Sequence, residues 1–281
     1  MSQPTLMSLI HPTALVHPKA QLHPTVRVGP YSVVGEHVTI GPETEVMAQV
    51  VIDGWTEIGA NNRIFPGAVI GGEPQDLKYQ GAPSRVIIGN NNRLRECVTV
   101  NRATHEGECT VIGDDNLLMA YVHVAHNCAI ADQVVISSSV LLAGHVTIES
   151  RAVIGGMLGI HQFVHVGRLS MVGGMSRVER DVPPFTMVEG NPARVRGLNL
   201  VGLARAGISP QQDDQTYALI RKAFRVLYRS GQTFNEALDE LTQFPPNLAV
   251  DHLVHFLQQS LSTRRGPVPG SQKNKSVADN T

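Results

Sequence analysis

Aliphatic residues recur at every sixth position over most of the chain. In the frame that runs from Ile10 to Val178, 26 of 29 positions are Ile, Leu or Val. This period matches neither the 3.6-residue turn of an α-helix nor the two-residue alternation of a half-buried strand. It is typical of short strands separated by bends, with three strands forming a coil of about 18 residues. Stacked coils of this kind predict an all-β parallel β-helix over residues 10–196.

Two segments interrupt the period of six. Its exceptions, Asp76, Ala82 and Glu106, lie in stretches rich in glycine, proline and polar residues. We therefore expect loops near residues 71–87 and 103–110 that leave the β-helix. Loops held by a rigid scaffold often carry binding residues, so both are candidates for a functional site.

The last third of the chain has a different pattern. The period of six disappears after Pro184, and apolar residues then recur at the spacing of an α-helix. Ser209 predicts the start of one helix, because a serine followed by proline is typical of a helix N-terminus. Thr233 and Glu236 form the capping-box pattern that predicts the start of the next helix. The resulting division is an N-terminal arm (1–9), the β-helix (10–196), an α-helical domain (197–265) and a polar tail expected to be disordered (266–281).

Composition limits the classes of function. The formal net charge is −1, which gives no strong positive field, so we expect no nucleic-acid partner. The sequence contains neither the basic and apolar regions of a signal peptide nor an apolar run long enough for a transmembrane helix. Three widely spaced cysteines without a CxxC pair indicate reduced thiols and no cysteine zinc site. We therefore expect a cytoplasmic protein without a transmembrane segment.

Five of the twelve histidines cluster in the middle of the predicted β-helix. Because residues about one coil apart stack on one face, side chains from successive coils can line one edge. One interpretation is a zinc site made of three imidazoles with an open position, which would resemble the trimeric β-helices of gamma-class carbonic anhydrases. The clustered residues are His123, His126, His145, His161 and His165.

The same histidines also suit proton transfer. Against a metal site, His123 and His126 span a β corner and are expected to point to different faces, and no carboxylate partner is evident nearby. A histidine can instead take a proton from a hydroxyl at neutral pH. Gly144, in the stretch LAGH, offers an unobstructed backbone N–H of the kind that stabilises an oxyanion. A base and an oxyanion donor on neighbouring coils suit acyl transfer to a hydroxyl.

Several motifs carry a family resemblance. The chain resembles the acyl-(acyl-carrier-protein)–UDP-N-acetylglucosamine O-acyltransferases, hexapeptide-repeat enzymes with a left-handed parallel β-helix and a C-terminal α-helical domain. The resemblance extends from about residue 10 to residue 262. The motifs that carry it include QDLKY (75–79), RECVTVNRAT (95–104), HVAHNC (123–128), LAGHV (142–146), HQF (161–163) and YRSG (228–231).

The resemblance implies the first reaction of lipid A biosynthesis. An (R)-3-hydroxyacyl group would pass from acyl carrier protein to the 3-hydroxyl of UDP-N-acetylglucosamine. No cofactor is implied beyond the phosphopantetheine that carries the acyl group on the carrier protein. The resemblance also implies a homotrimer with active sites between neighbouring subunits, and the open faces of a triangular coil favour the same three-fold packing.

The resemblance also implies residue roles. His126 would be the general base and Gly144 the oxyanion donor, while the residue matching Gly174 acts in the family as an acyl-length ruler. No metal ligand is implied. The remaining predicted substrate residues are Asp76 and Lys78 on the first loop, His123, His145, His161 and Gln162 near the base, and Asn199 and Arg205 at the nucleotide end.

A basic helix is a candidate dock for the acidic carrier protein. The alternative interpretation is a solvated helix face without a partner. The basic residues are Arg221, Lys222, Arg225 and Arg229.

The chain departs from the family pattern beside the base. Asn127 stands where an aspartate is common, and an amide can orient an imidazole but cannot stabilise imidazolium by charge. Val201, Asn101 and Pro192 also differ from residues that family members can carry. These departures leave a catalytically inactive scaffold as one alternative. A related UDP-sugar N-acyltransferase is another, although such enzymes carry a nucleotide-binding domain before their hexads, which start here at Ile10.

Overall fold

The structure is a computed structural model that describes residues 9–263 and 265–271. Within those residues the chain forms three sheets of nine, eight and ten strands, followed by four helices. Up to Val178 successive strands go to successive sheets, and neighbours in each sheet are parallel except for the last pair of the ten-stranded sheet. The sheets are the three faces of a β-helix, named here in the order in which the chain visits them.

The strands are mostly two residues long. The first face contains β1 (Leu15–Val16), β4 (Val33–Val34), β7 (Val51–Ile52), β10 (Val69–Gly72), β13 (Thr99–Asn101), β16 (His123–Val124), β19 (Leu141–Leu142), β22 (Gly159–Ile160) and β25 (Arg177–Val178). The second face contains β2 (Gln21–Leu22), β5 (Val38–Ile40), β8 (Trp55–Ile58), β11 (Arg85–Ile88), β14 (Cys109–Ile112), β17 (Ala129–Ile130), β20 (Thr147–Ile148) and β23 (His165–Val166). The third face contains β3 (Arg27–Val28), β6 (Glu45–Val46), β9 (Arg63–Ile64), β12 (Arg93–Leu94), β15 (Leu117–Leu118), β18 (Val135–Ile136), β21 (Val153–Ile154), β24 (Met171–Val172), β26 (Thr186–Glu189) and the antiparallel β27 (Arg194–Leu198).

The aliphatic residues of the six-residue frame fill the interior. Val124, Leu142 and Ile160 lie in register on neighbouring coils of the first face and are at most 2% exposed. Each face contributes one such residue per coil to a narrow core, which is why aromatic residues are so few. Truncating one of them, as in Leu142→Ala, would cost roughly 2–5 kcal/mol of stability. The predicted meaning of the period is confirmed.

The two interruptions lie at the same corner of the β-helix. The first corner is the bend between a first-face strand and the next second-face strand. Residues 73–84 leave it between β10 and β11, and residues 102–108 leave it one coil later, between β13 and β14. Strands β11 and β14 still pair in register, so both loops extend outward without disturbing the stack.

The helical segment packs on the late coils through a second apolar core. There Leu169 and Phe185 of the β-helix meet Leu203, Ile220 and Leu257 of the helices, all at most 3% exposed. None of the helices within the described ranges has the length and hydropathy needed to cross a bilayer. The helices are α1 (Leu200–Arg205), α2 (Asp214–Arg229), α3 (Phe234–Leu241) and α4 (Leu248–Ser262).

Helix starts were predicted with mixed success. The capping box at Thr233 and Glu236 is confirmed at the start of α3. The start predicted at Ser209 is wrong, because the Asp213 side chain accepts the Thr216 N–H and α2 begins at Asp214. The short helix α1 had no distinct signal in the sequence.

The C-terminal segment is ordered further than predicted. Residues 266–271, expected to be disordered, form bridges from Pro267 to Asp181 and from Gly270 to Val195. Val268 is 1% exposed in the core of the β-helix, and burial of this apolar side chain holds the segment in place. The disorder prediction is therefore wrong for these residues. Residues 272–281 and residues 1–8 of the predicted arm lie outside the described part of the chain.

Candidate active site

His126 lies at the first corner, one coil after the second loop. The corners of the following coils stack on it, since the His145 N–H donates to the His126 carbonyl at 3.0 Å and the Phe163 N–H donates to the Gly144 carbonyl at 3.2 Å. Asn127, immediately after His126, takes a left-handed φ of 60° to make the bend, a conformation that asparagine tolerates well. The stack therefore places polar side chains and backbone groups from several coils at one edge of the β-helix.

A cavity of about 440 Å³ opens beside this edge. It is lined by His126, Gly144, His161 and Gln162 from three successive first corners, and by His123 from β16. We expected His123 and His126 to point to different faces, and this is wrong, since both line the same cavity. Gln75 of the first loop completes the wall above His126.

The His126 ring is 6% exposed and fixed on its Nδ1 side. Nδ1 lies 3.0 Å from Asn127 Oδ1 and 3.0 Å from Thr104 Oγ1. Since Asn127 Oδ1 can only accept, Nδ1 carries the proton that is donated to it, and Nε2 of the neutral ring has a free lone pair. This tautomer is the one that a general base needs.

Two carboxylates lie near the ring, contrary to the expectation that none would. Asp76 Oδ2 of the first loop is 3.9 Å from His126 Nε2. A backbone hydrogen bond from Lys78 to Asp76 Oδ1, at 3.0 Å, is the largest of the effects that lower the pKa of Asp76. Glu108 of the second loop accepts from Asn127 Nδ2 at 2.7 Å. The prediction failed because it considered only residues near His126 in the sequence, whereas Asp76 and Glu108 come from the two loops.

Gly144 lies under the His126 imidazole. A Cβ added at Gly144 would overlap the ring, at 2.5 Å from Nε2. Within the described residues, the Gly144 N–H donates to no protein acceptor. Glycine therefore leaves room for the base and presents an uncommitted donor to the cavity.

Burial affects two other histidines of the site, His123 and His145. Desolvation, followed by the nearby His126, lowers the pKa of both His123 and His145. The His145 ring meets the His126 ring edge-on at 5.2 Å and stacks on Phe163 at 4.6 Å. His123 Nδ1 is 2.7 Å from Thr99 Oγ1. Both rings are therefore less readily protonated than a free imidazole, and His126 is the ring that lies against the Gly144 backbone.

Comparisons with known proteins show the family to which this chain belongs. The bacterial transferase hexapeptide family (six repeats) matches residues 109–144, and the second domain of UDP-N-acetylglucosamine O-acyltransferases matches residues 181–268. A protein of Synechocystis sp. named acyl-(acyl-carrier-protein)–UDP-N-acetylglucosamine O-acyltransferase is 61% identical over 274 residues, covering 97% of this chain and 98% of that protein. The chain belongs to the family of acyl-(acyl-carrier-protein)–UDP-N-acetylglucosamine O-acyltransferases.

Solved structures place the whole fold in the same O-acyltransferase family. The enzyme from Moraxella catarrhalis is 39% identical with a TM-score of 0.86, over 92% of this chain and 99% of that chain. The enzyme from Francisella novicida is 34% identical with a TM-score of 0.87, over 96% of each chain. The predicted left-handed β-helix with a helical C-terminal domain is confirmed, and the carbonic-anhydrase and N-acyltransferase alternatives are not favoured.

Three residues with predicted roles in this O-acyltransferase lie away from the His126 cavity. Asn199 caps α1 by accepting the Gly202 N–H at 3.0 Å and donates to the Leu169 carbonyl at 2.8 Å. Arg205 lines a separate cavity of about 600 Å³. Gly174 lies at the third corner, the bend from the third face to the first, where an added Cβ would be 3.2 Å from the Gly156 carbonyl oxygen. A single chain does not bring them to the base.

The first loop of the O-acyltransferase is anchored by a buried arginine. Arg102, 7% exposed, donates to the Gly71 carbonyl at 2.9 Å and to the Tyr79 hydroxyl at 2.5 Å. These bonds join the two ends of the segment that carries Asp76 and leave Lys78 exposed. Arg102 therefore fixes where the loop meets the cavity.

Several residues of the site had not been singled out from the sequence. Gln75 lines the cavity, Thr104 and Phe163 contact its histidines, and Glu108 contacts Asn127 beside His126. Three of them could have been suspected from their position, since they lie in loops that leave the β-helix at the same corner as His126. Among the described residues, no group of three His, Cys, Asp or Glu side chains is placed to hold a metal ion.

Proposed function

We propose that the chain transfers an (R)-3-hydroxyacyl group from acyl carrier protein to the 3-hydroxyl of UDP-N-acetylglucosamine, with His126 as general base. The observation that carries this proposal is the pairing of His126 Nε2 with the uncommitted Gly144 N–H at one cavity wall. Family membership supplies the reaction, since relatives covering nearly the whole chain bear that name.

The reaction follows from this geometry. His126 Nε2 takes the proton of the 3-hydroxyl as its oxygen attacks the thioester carbonyl. The carbonyl oxygen becomes an oxyanion, which the Gly144 N–H stabilises. Collapse of the tetrahedral intermediate breaks the carbon–sulfur bond, and the departing thiolate takes the proton from the imidazolium. No bound cofactor takes part, because the phosphopantetheine belongs to the carrier protein.

The remaining cavity residues suit a sugar nucleotide. His123, His145, His161 and Gln162 offer polar side chains at the height of the base, three of them lining the cavity directly. Asp76 and Lys78 close the site from the first loop, with a carboxylate for sugar hydroxyls. The exposed Lys78 ammonium is available for the diphosphate.

A homotrimer would complete the site. Asn199 and Arg205 lie at another face of the same chain, so a neighbouring subunit would bring them to the nucleotide end. An apolar ladder at the third corner supports such packing, because exposed apolar surface marks association sites. Its members are Tyr121, Met157 and Met175, which are 63%, 69% and 76% exposed. Gly174 lies on that corner too, where it would bound the acyl chain.

The acyl carrier protein would dock on α2. Four basic residues of this helix are exposed, and carrier proteins are acidic, so the charges are complementary. The cytoplasm is the proposed compartment, in keeping with the soluble substrates. No nucleic-acid partner is proposed. The basic residues are Arg221, Lys222, Arg225 and Arg229.

A transfer assay tests the function. The chain is incubated with UDP-N-acetylglucosamine and hydroxyacyl carrier proteins of several lengths, and the product is identified by mass spectrometry and NMR. We expect an ester at the 3-hydroxyl and no product from a 3-deoxy acceptor. Absence of product at every acyl length would contradict the proposal. Activity that depends on stoichiometric zinc would instead revive a metalloenzyme of the carbonic-anhydrase type.

A further inference from the structure

His126 Nδ1 is linked by hydrogen bonds to the carboxylate of Glu108, a residue that lies outside the HVAHNC motif. Nδ1 contacts Asn127 Oδ1 at 3.0 Å, and Asn127 Nδ2 donates to Glu108 Oε2 at 2.7 Å. A neutral amide thus stands between the imidazole and a carboxylate. These hydrogen bonds connect His126, through Asn127, to the second loop.

The Asn127 amide is fixed in one orientation by three partners. Its Oδ1 accepts both from His126 Nδ1 and from the Thr104 backbone N–H at 3.2 Å, while its Nδ2 donates to Glu108. A flipped amide would direct its NH2 group at two donors and its oxygen at a carboxylate. Because the orientation is fixed, Oδ1 always faces Nδ1 and selects the tautomer that leaves Nε2 free.

Glu108 is itself held and charged. It is half-buried, and the Asn127 side-chain hydrogen bond is the largest effect that lowers its pKa. The His105 N–H also donates to its Oε2, at 3.2 Å. A carboxylate one amide away favours the imidazolium that forms when the base takes a proton, because opposite charges attract most strongly in a poorly solvated site.

We propose that Glu108 is a positioning residue for His126, acting through Asn127 as a relay that supplies the negative charge an aspartate would supply directly. This inference rests on the proposed role of His126 as general base. Glu108 would not touch substrate. It would hold the amide, and through the amide the ring, and it would stabilise the positive charge during the reaction.

The first test compares two substitutions at Glu108. Glu108→Gln keeps an acceptor for Asn127 Nδ2 but removes the charge, and Glu108→Ala removes both. We expect Glu108→Gln to lower kcat about tenfold with little change in KM, and Glu108→Ala to lower it further, since general-base catalysis as a whole contributes roughly 10²–10⁴-fold. Glu106→Gln, in the same loop and exposed, is the matched control and should keep wild-type kinetics.

The pH dependence of kcat/KM distinguishes a relay role of Glu108 from a purely structural one. Loss of the carboxylate destabilises imidazolium, so the acid limb of kcat/KM should move to lower pH in Glu108→Gln. The other titratable groups that face His126 are His123, His145 and Asp76, and those that face Glu108 are His105 and His145. Glu108 also raises the pKa of His145, so the profile is compared as well between His145→Gln and the double variant His145→Gln with Glu108→Gln, where the shift should persist without His145.

A charge swap provides the rescue. Asn127→Asp alone places two carboxylates side by side and should lower activity. In the double variant Asn127→Asp with Glu108→Gln, the glutamine amide donates to the new aspartate, which accepts from Nδ1, and most of kcat should return. Wild-type kcat and acid limb in both Glu108 variants, with His126→Ala inactive, would overturn the relay alone. An active His126→Ala would overturn the general base and the relay with it.

Discussion

The imidazole of His126 lies directly over the backbone of Gly144, in the space that a side chain at position 144 would fill. The proposed base and the proposed oxyanion donor are therefore packed against each other across two coils. Any side chain added at position 144 must therefore displace the His126 ring.

The first prediction concerns this contact. Gly144→Ala should push the ring away from the cavity and lower kcat by about 100-fold or more, because misplacement of about 1 Å can cost that much. The thermal midpoint should also fall, because the added methyl overpacks a buried ring, which typically costs about 1–3 kcal/mol. Steady-state kinetics and thermal melts provide the measurement. Gly197→Ala, where a Cβ meets no atom within 4 Å, is the control and should retain activity.

The second prediction concerns removal of the proposed base. His126→Ala should reduce turnover to background, while the mass of the assembly in solution stays that of the wild-type protein. Acyl transfer and light scattering on the same sample measure both. Turnover near the wild-type rate would show that another group takes the proton.

A third prediction follows from the anchor of the first loop. Arg102→Met keeps the length of the side chain but leaves the Gly71 carbonyl without its donor. Stability should fall by about 1–3 kcal/mol. KM for UDP-N-acetylglucosamine should rise more than kcat falls, because Asp76 and Lys78 lose their fixed position. Arg63→Met, which removes an exposed ion pair with Glu45 and a contact over the Phe65 ring, should change neither. An unchanged KM in Arg102→Met would contradict the anchoring role.

The fourth prediction concerns the contact between the β-helix and α4. Glu149 lies 2.8 Å from His165 Nε2 and 2.8 Å from His252 Nε2, although the His165 contact is off the hydrogen-bonding direction. Desolvation raises the pKa of Glu149, but the two histidines outweigh it and lower the pKa to about 2 from 4.5. A depressed carboxyl pKa adds stability above about pH 4.5 that is lost as the pH falls toward 2.

The measurement for Glu149 is a pair of melting curves against pH. Glu149→Gln should be less stable than wild type at pH 6–7 by up to about 3 kcal/mol, at 1.36 kcal/mol per pH unit of displacement. The two proteins should converge as the pH falls from about 4.5 toward 2. A stability difference that stays constant over that range would show that the carboxylate charge does not hold α4.

Much of the site could be read from the six-residue frame. His126, Gly144 and Gln162 are each 18 residues apart, so a coil of that length places them on one edge. The two loops could also be located, since Asp76 and Glu106 break the frame. These predictions succeed because each short strand needs only one inward aliphatic residue, and the count of residues between such positions fixes the stacking.

Other features depended on contacts that no count of residues can give. The Glu108 hydrogen bond to Asn127 depends on the path of the second loop, which has no repeat to define it. The same holds for Phe163 under His145 and for Val268, whose burial orders a segment of low apolar content.

The sequence by itself therefore determined the scaffold and the position of His126, the proposed base, along it, because a strict period leaves one way to stack the coils. Tertiary structure decided the environment of the base. An asparagine that looked like a loss of charge is joined to a carboxylate 19 residues away, because both loops fold back onto the corner where His126 lies.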